Sequence, residues 1–177
     1  MRQSNKASLR KPVIGDASEF IAAVKRSREL HRGLVTPPNN RDKFRAYLGS
    51  LKSDAQHGFL VIDDTSGDIA GVINVNEIVR GAFQSAYLGY YGFKPYAGQG
   101  LMREGLKKVI QHSFSVLKLH RLEANIQPHN SRSTALVQSL GFRLEGLSPD
   151  YLKVSGRWRD HERWAILCSE WKVAKHK

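Results

Sequence analysis

Apolar residues fall into short runs whose spacing changes along the chain, and each change marks an element. Ala7 to Lys11 reads as a short strand halted by Pro12, whose ring fixes φ and removes a donor. Asp16 suits a helix N-cap, and Phe20, Ile21, Val24 and Leu30 follow at helical spacing. Thr36-Pro37-Pro38-Asn39-Asn40 opposes both helix and ladder, so it is a loop. Phe44, Tyr47, Leu48 and Leu51 place a second helix. The period then shortens. Phe59 to Ile62, Ile69 to Val79 and Phe83 to Phe93 are β-rich and joined by polar turns, which predicts an antiparallel meander. Helical spacing returns through Leu101, Met102, Leu106, Val109, Ile110, Phe114 and Leu117, predicting an amphipathic helix from Gly100 to Leu117. Arg121 to Ile126 is a strand, and Ser131 to Leu140 a helix with Gly141 at its left-handed cap. Phe142 to Val154 and Trp158 to Glu170 are two last strands around a Ser155-Gly156 hairpin turn. The order βααβββαβαββ predicts an α+β fold: one domain over residues 1–177, a mixed and mostly antiparallel sheet of six to seven strands, and about four helices.

Composition narrows the class. With 177 residues, 41% hydrophobic and 25% charged, the chain suits one globular domain rather than disorder or coiled coil. The one cysteine, Cys168, cannot form an internal bridge, which fits a reducing compartment. Met1 to Pro12 is polar and basic and does not read as a secretory leader, and Phe59 to Ile62 is far too short to span a membrane. A cytoplasmic location and no membrane partner are expected. Charge is the abnormal feature: 28 Lys and Arg against 16 Asp and Glu give +12. Such an excess attracts polyanions, including nucleic acid and phosphate-rich cofactors, and equally well solvates a surface.

The strongest local signal is Lys94-Pro95-Tyr96-Ala97-Gly98-Gln99-Gly100-Leu101-Met102. A strand ends, two glycines allow close backbone approach, and a long helix begins. The first amides of a helix lack partners and carry the positive end of its dipole, so such a junction suits a pyrophosphate. It is neither a nucleotide P-loop, which needs Gly-Lys-Ser/Thr, nor a dinucleotide fingerprint, whose third glycine is replaced by Arg103. Some thirty residues on, Asn130 can cap the helix that opens at Ser131. His112, His120, His129 and His161 lack metal-ligand spacing, so no metal is expected.

Gly98-Gln99-Gly100-Leu101-Met102, followed by Asn130-Ser131-Arg132-Ser133 and Leu140-Gly141-Phe142, resembles the GCN5-related N-acetyltransferase (GNAT) superfamily. Within it, Leu88-Gly89-Tyr90, Pro128-His129-Asn130 and Gly156-Arg157-Trp158-Arg159-Asp160-His161 are similar to the bacterial ribosomal-protein-alanine N-acetyltransferases. The resemblance implies acetyl-CoA as cofactor, its pantetheine lying beside backbone near Gly92 and Phe93. It implies a pyrophosphate on the amides of Gly98, Gln99, Gly100, Leu101 and Met102, a cofactor contact at Asn130, and Ser133 as proton donor to the thiolate. Ala97 and Met102 depart from the family pattern, which usually has Arg or Gln and then Gly or Ala there.

No general base carries over, since Leu152 stands where a related type has glutamate; Glu77 and Asp150 are the candidates. A free α-amine has a pKa of about 7.7–8.0, so roughly 10–20% is neutral at pH 7 and little base is needed. The expected reaction is acetyl transfer to a protein N-terminus, the resemblance pointing to the N-terminal alanine of a small-subunit ribosomal protein. A small-molecule amine acceptor, or a non-catalytic ribosome- or RNA-binding module, are the alternatives, with a monomer or homodimer and weak RNA contact through the basic surface expected.

Overall fold

The computed structural model describes residues 6–175; the ends of the expected 1–177 domain lie outside the described residues. The strands are β1 Ala7–Arg10, β2 His57–Asp63, β3 Ile69–Val79, β4 Ser85–Gly92, β5 Arg121–Ile126, β6 Arg143–Val154 and β7 Arg157–Leu167. They form one seven-stranded sheet in the order β1-β2-β3-β4-β5-β7-β6. Neighbours pair antiparallel except β4 with β5, which are parallel. A parallel pair needs a crossover, and α4 (Leu101–Ser115) supplies it. The other helices are α1 Ala17–Arg26, α2 Arg28–His31, α3 Arg41–Ser50, α5 Ser131–Gln138 and α6 Cys168–Lys175.

Alternation along the strands builds two cores. Val61, Ile73, Val75, Leu88, Leu122, Ala124, Ile126, Trp164 and Ile166 pack with Leu101, Leu106, Val109 and Ile110 of α4. On the opposite face Leu60, Ile62, Val72 and Phe93 meet Phe20, Val24 and Phe44 of α1 and α3. β2, one strand in from the sheet edge, is buried on both faces, which is why it reads as an unbroken apolar run. The second core stops at β4. Over β5, β7 and β6 the face shared with α1–α3 carries polar side chains instead.

Three expectations change. The first helix breaks at Ser27, whose Oγ accepts a hydrogen bond from the Lys94 amide at 2.9 Å, and Leu30 falls in the separate α2. Asp16 does not cap with its side chain; its carboxylate accepts from the Val13 amide at 2.7 Å and pairs with Arg10, closing a short 3-10 turn. The last strand ends at Leu167 rather than Glu170, because Glu170 Oε2 accepts from the Leu167 amide at 2.7 Å and helps start α6. Gly141 does end its helix left-handed, at φ +87°.

Candidate active site

The site begins where β4 and β5 stop pairing. They are matched only over Ser85–Tyr87 and Arg121–Glu123, so beyond Tyr87 the strands separate. β5 continues to pair with β7 as far as Ile126, and β4 with β3 as far as Gly92. Phe93 N–H donates to Ala70 C=O at 2.8 Å, which fixes the alternation of the β3–β4 ladder. The backbone groups of Tyr91 and Phe93 therefore face β3, whereas those of Tyr90 and Gly92 face the gap. Here the sequence reading needs a correction: the Phe93 amide is committed to Ala70 and its ring is fully buried in the second core, so Tyr90 takes its place beside Gly92.

At the open end of the gap, Gly98 and Gly100 adopt φ +83° and +85°, and a Cβ at either would meet nothing within 4 Å. Gly100 is the N-cap of α4 without a side-chain cap, and the first intrahelical bond runs from Glu104 N–H to Gly100 C=O at 3.1 Å. The amides of Leu101, Met102 and Arg103 consequently have no partner in the helix. A left-handed backbone with open space above it and unpaired amides behind it fits a diphosphate. The turn is tied from both sides: Arg26 Nε donates to Lys94 C=O at 3.0 Å, and the Tyr96 hydroxyl donates to Asp68. α4 reaches this position because Gly71 and Gly92 leave room. A Cβ on Gly71 would lie 2.3 Å from Met102 Sδ, so Met102 fills the space those glycines vacate.

On the α4–α5 side of the gap, the Tyr90 and Ser133 hydroxyls lie 2.6 Å apart. Burial pushes the Tyr90 phenol up to about 12, with the Ser133 contact opposing, so it stays protonated at neutral pH. Asn130 caps α5, its Oδ1 accepting from Ser133 N–H at 3.3 Å, which sets the first turn that carries Ser133.

On the other side, Tyr87, Glu123, Asn125, His161 and Arg163 project from β4, β5 and β7 as a polar floor, opposite in alternation to the core residues Ala86, Ala124 and Trp164. Burial and a Tyr151 hydrogen bond push Tyr87 up to about 12. Arg121 is paired with Glu123 and Glu145, and its hydrogen bond holds Glu145 below the usual carboxylate range. The segment after α2 passes over this floor: Gln127 Nε2 donates to Gly33 C=O at 2.9 Å, and Thr36 Oγ1 lies 3.5 Å from Ser155 Oγ. His31 locks α2 to the gap, its Nε2–H donating to Gly92 C=O at 2.8 Å. Burial lowers the His31 pKa, so the ring is neutral with Nδ1 as an acceptor.

The structure thus brings Gly92, Gly98, Gln99, Gly100, Leu101, Met102, Asn130 and Ser133 around one gap. It leaves Glu77 and Asp150 outside. Glu77 is exposed at a bulge beyond Asn76, which pairs with Tyr87, about 16 Å along β4 from Gly92. Asp150 is exposed at a β6 bulge, its amide held by Asp160 Oδ1 at 2.9 Å. Among the described residues no His, Cys, Asp and Glu cluster suits a metal. Sequence reasoning missed Tyr90, His31 and the polar floor. The alternation of β4 and β5 held the signal for Tyr90 and Asn125; nothing local announced His31.

The chain matches the family described as Acetyltransferase (GNAT) domain over residues 7–143 and belongs to it. It is an N-acetyltransferase. The [Ribosomal protein uS5]-alanine N-acetyltransferase of Escherichia coli is 38% identical over 132 residues, covering 72% of this chain and 68% of that protein. The structure of Mycobacterium smegmatis RimJ in complex with CoA-disulfide superposes with a TM-score of 0.84 at 26% identity, covering 98% of this chain and 90% of that one. A spermidine N(1)-acetyltransferase of Vibrio cholerae is 25% identical over 125 residues, 71% of each chain.

Proposed function

We propose that the protein transfers acetyl from acetyl-CoA to the α-amine of a protein N-terminus, with the N-terminal alanine of a small-subunit ribosomal protein as the leading acceptor. The observation that carries it is the gap between β4 and β5, with a glycine cradle at its open end and a polar, roofed floor on one face only. The E. coli relative named for a ribosomal-protein alanine supports the acceptor, and such an acceptor places the reaction in the cytoplasm. Among the described residues no helix is long and apolar enough to cross a membrane.

Bound in the gap, acetyl-CoA supplies a thioester carbonyl to be attacked and a thiolate to leave. The amides of Gly98, Gly100, Leu101 and Met102 would hold the diphosphate, the Gln99 amide being committed to Tyr96 C=O at 3.3 Å, and Asn130 would keep its Nδ2 for the cofactor arm. Backbone groups of Tyr90 and Gly92 align the pantetheine as a neighbouring strand would. The Ser133 and Tyr90 hydroxyls, 2.6 Å apart, would relay a proton to the departing sulfur, Tyr90 regaining its own from the water that takes up the amine's proton. The amine arrives from the polar floor, on the opposite face. Because an α-amine is partly neutral already, its proton can pass directly to water, without Glu77 or Asp150, which stand outside the gap. Positioning and carbonyl polarisation then supply most of the rate.

A second reading keeps this cofactor site and takes a small-molecule amine; the spermidine-acetylating relative favours it. Thiol release from acetyl-CoA separates the two. Alanyl peptides are expected to release thiol well above background and spermidine not, and the reverse order overturns the N-terminal reading. Calorimetry is the control: wild type binds acetyl-CoA, and Gly100→Asp, which puts a carboxylate in the cradle, does not.

A further inference from the structure

Most charged groups on the polar floor are satisfied within the protein: Arg121 by Glu123 and Glu145, Arg143 by Glu145 and Glu170. Two polar atoms there are not. Asn125 Oδ1 and Arg163 Nε are both buried and without a hydrogen-bond partner. They belong to directly opposed residues of β5 and β7, whose backbones run about 5 Å apart. Among the described residues no carboxylate pairs with Arg163. The guanidinium has a built seat: on β6, Gly146 faces Arg163 at φ +148°, and a Cβ there would lie 3.4 Å from Arg163 Nη2. Neighbouring Ala124 and Trp164 are committed to the core on the other face, so neither orphan is a by-product of core packing.

A buried donor and a buried acceptor side by side, both unanswered, describe the ligand that would answer them. It must offer one carbonyl oxygen and one N–H on the same edge, as a single residue of an extended chain does, and it must tolerate a cation. We infer that Arg163 and Asn125 seat the second residue of an extended acceptor, Arg163 Nε donating to that residue's carbonyl oxygen and Asn125 Oδ1 accepting from its N–H. This rests on the N-terminal reading above and makes it specific: the pair reads the backbone of the residue that follows the reacting one. A polyamine carries only donors, all of them cationic near neutral pH. It answers Asn125, leaves Arg163 Nε bare, and sets like charges together. Arg163 and Asn125 are positioning residues, since neither takes part in the proton transfers.

The experiment uses the full chain, an alanyl tetrapeptide and spermidine. For the peptide, Arg163→Met and Asn125→Ala should each raise KM about tenfold or more, with kcat falling by a smaller factor. Arg163→Lys, which restores a charged donor, should recover part of the loss. Acetyl-CoA affinity by calorimetry and the thermal unfolding midpoint report whether each variant is folded. Should Arg163→Met misfold, Arg163→Gln and Asn125→Ala carry the same comparison. Wild-type KM in the folded variants overturns the seat while leaving the N-terminal reading intact. Efficient acetylation of spermidine by wild type, with none of the peptide, overturns the N-terminal reading itself.

Discussion

Two hydroxyls 2.6 Å apart, on a strand and on the first turn of a helix, form a direct side-chain bridge on the cofactor side of the gap. Tyr90 is held protonated by burial, and Ser133 is oriented by the Asn130 cap. If the pair delivers a proton to the leaving sulfur, the two act as a unit. Tyr90→Phe and Ser133→Ala should each lower kcat about 100-fold, and the double variant should be little worse than either. Acetyl-CoA affinity should change far less. Single-turnover rates for the three variants decide it: independent, multiplying losses mean the hydroxyls do not share a task, and full activity in both singles removes them from the chemistry.

At the scale of elements, the cradle depends on how closely α4 lies against β3 and β4. Gly71 faces Met102 Sδ at 2.3 Å and Tyr91 C=O at 2.8 Å from where a Cβ would stand, and a backbone carbonyl cannot move aside. Gly71→Ala should therefore cost about 1–3 kcal/mol in stability, read by urea unfolding, and weaken acetyl-CoA binding as the helix start lifts. An unchanged midpoint and affinity would show that α4 adapts freely. The cradle itself was legible in the sequence, because Gly98 and Gly100 stand beside a change from strand to helix period. So was the element order, since Leu122, Ala124 and Ile126 alternate while Leu101, Leu106 and Val109 recur at helical spacing. What local pattern could not show is pairing. That β4 leaves β5 after Tyr87, that Phe93 is committed to Ala70, and that Arg163 stands opposite Asn125 are facts of register between distant segments. The break at Ser27 is likewise decided by Lys94, 67 residues away. α6 escaped notice because its start is set by Glu170 reaching back to Leu167, in a stretch that read as continuing strand.

For the molecule as a whole, +12 of charge, one buried imidazole and two half-buried ones respond together to acid. Burial lowers the pKa of His31, His57 and His112 below the unfolded value near 6.5, with Lys11 adding to the effect at His57 and His112. A group whose folded pKa is depressed in this way binds fewer protons folded than unfolded. Its contribution to stability is intact above about pH 6.5 and lost as pH falls through the folded value. Protonation also adds to a surplus of positive charge that already repels itself. The melting temperature should thus fall between pH 7 and pH 5, for two separable reasons. Salt screens self-repulsion among exposed charges but barely touches the desolvation of a buried ring. Raising the salt should flatten part of the slope, and His31→Gln, a neutral residue that keeps a donor for Gly92, should flatten a further part that salt leaves alone. A His31→Gln slope equal to wild type at high salt would mean that the buried imidazole, and with it the lock between α2 and the gap, does not govern the acid response.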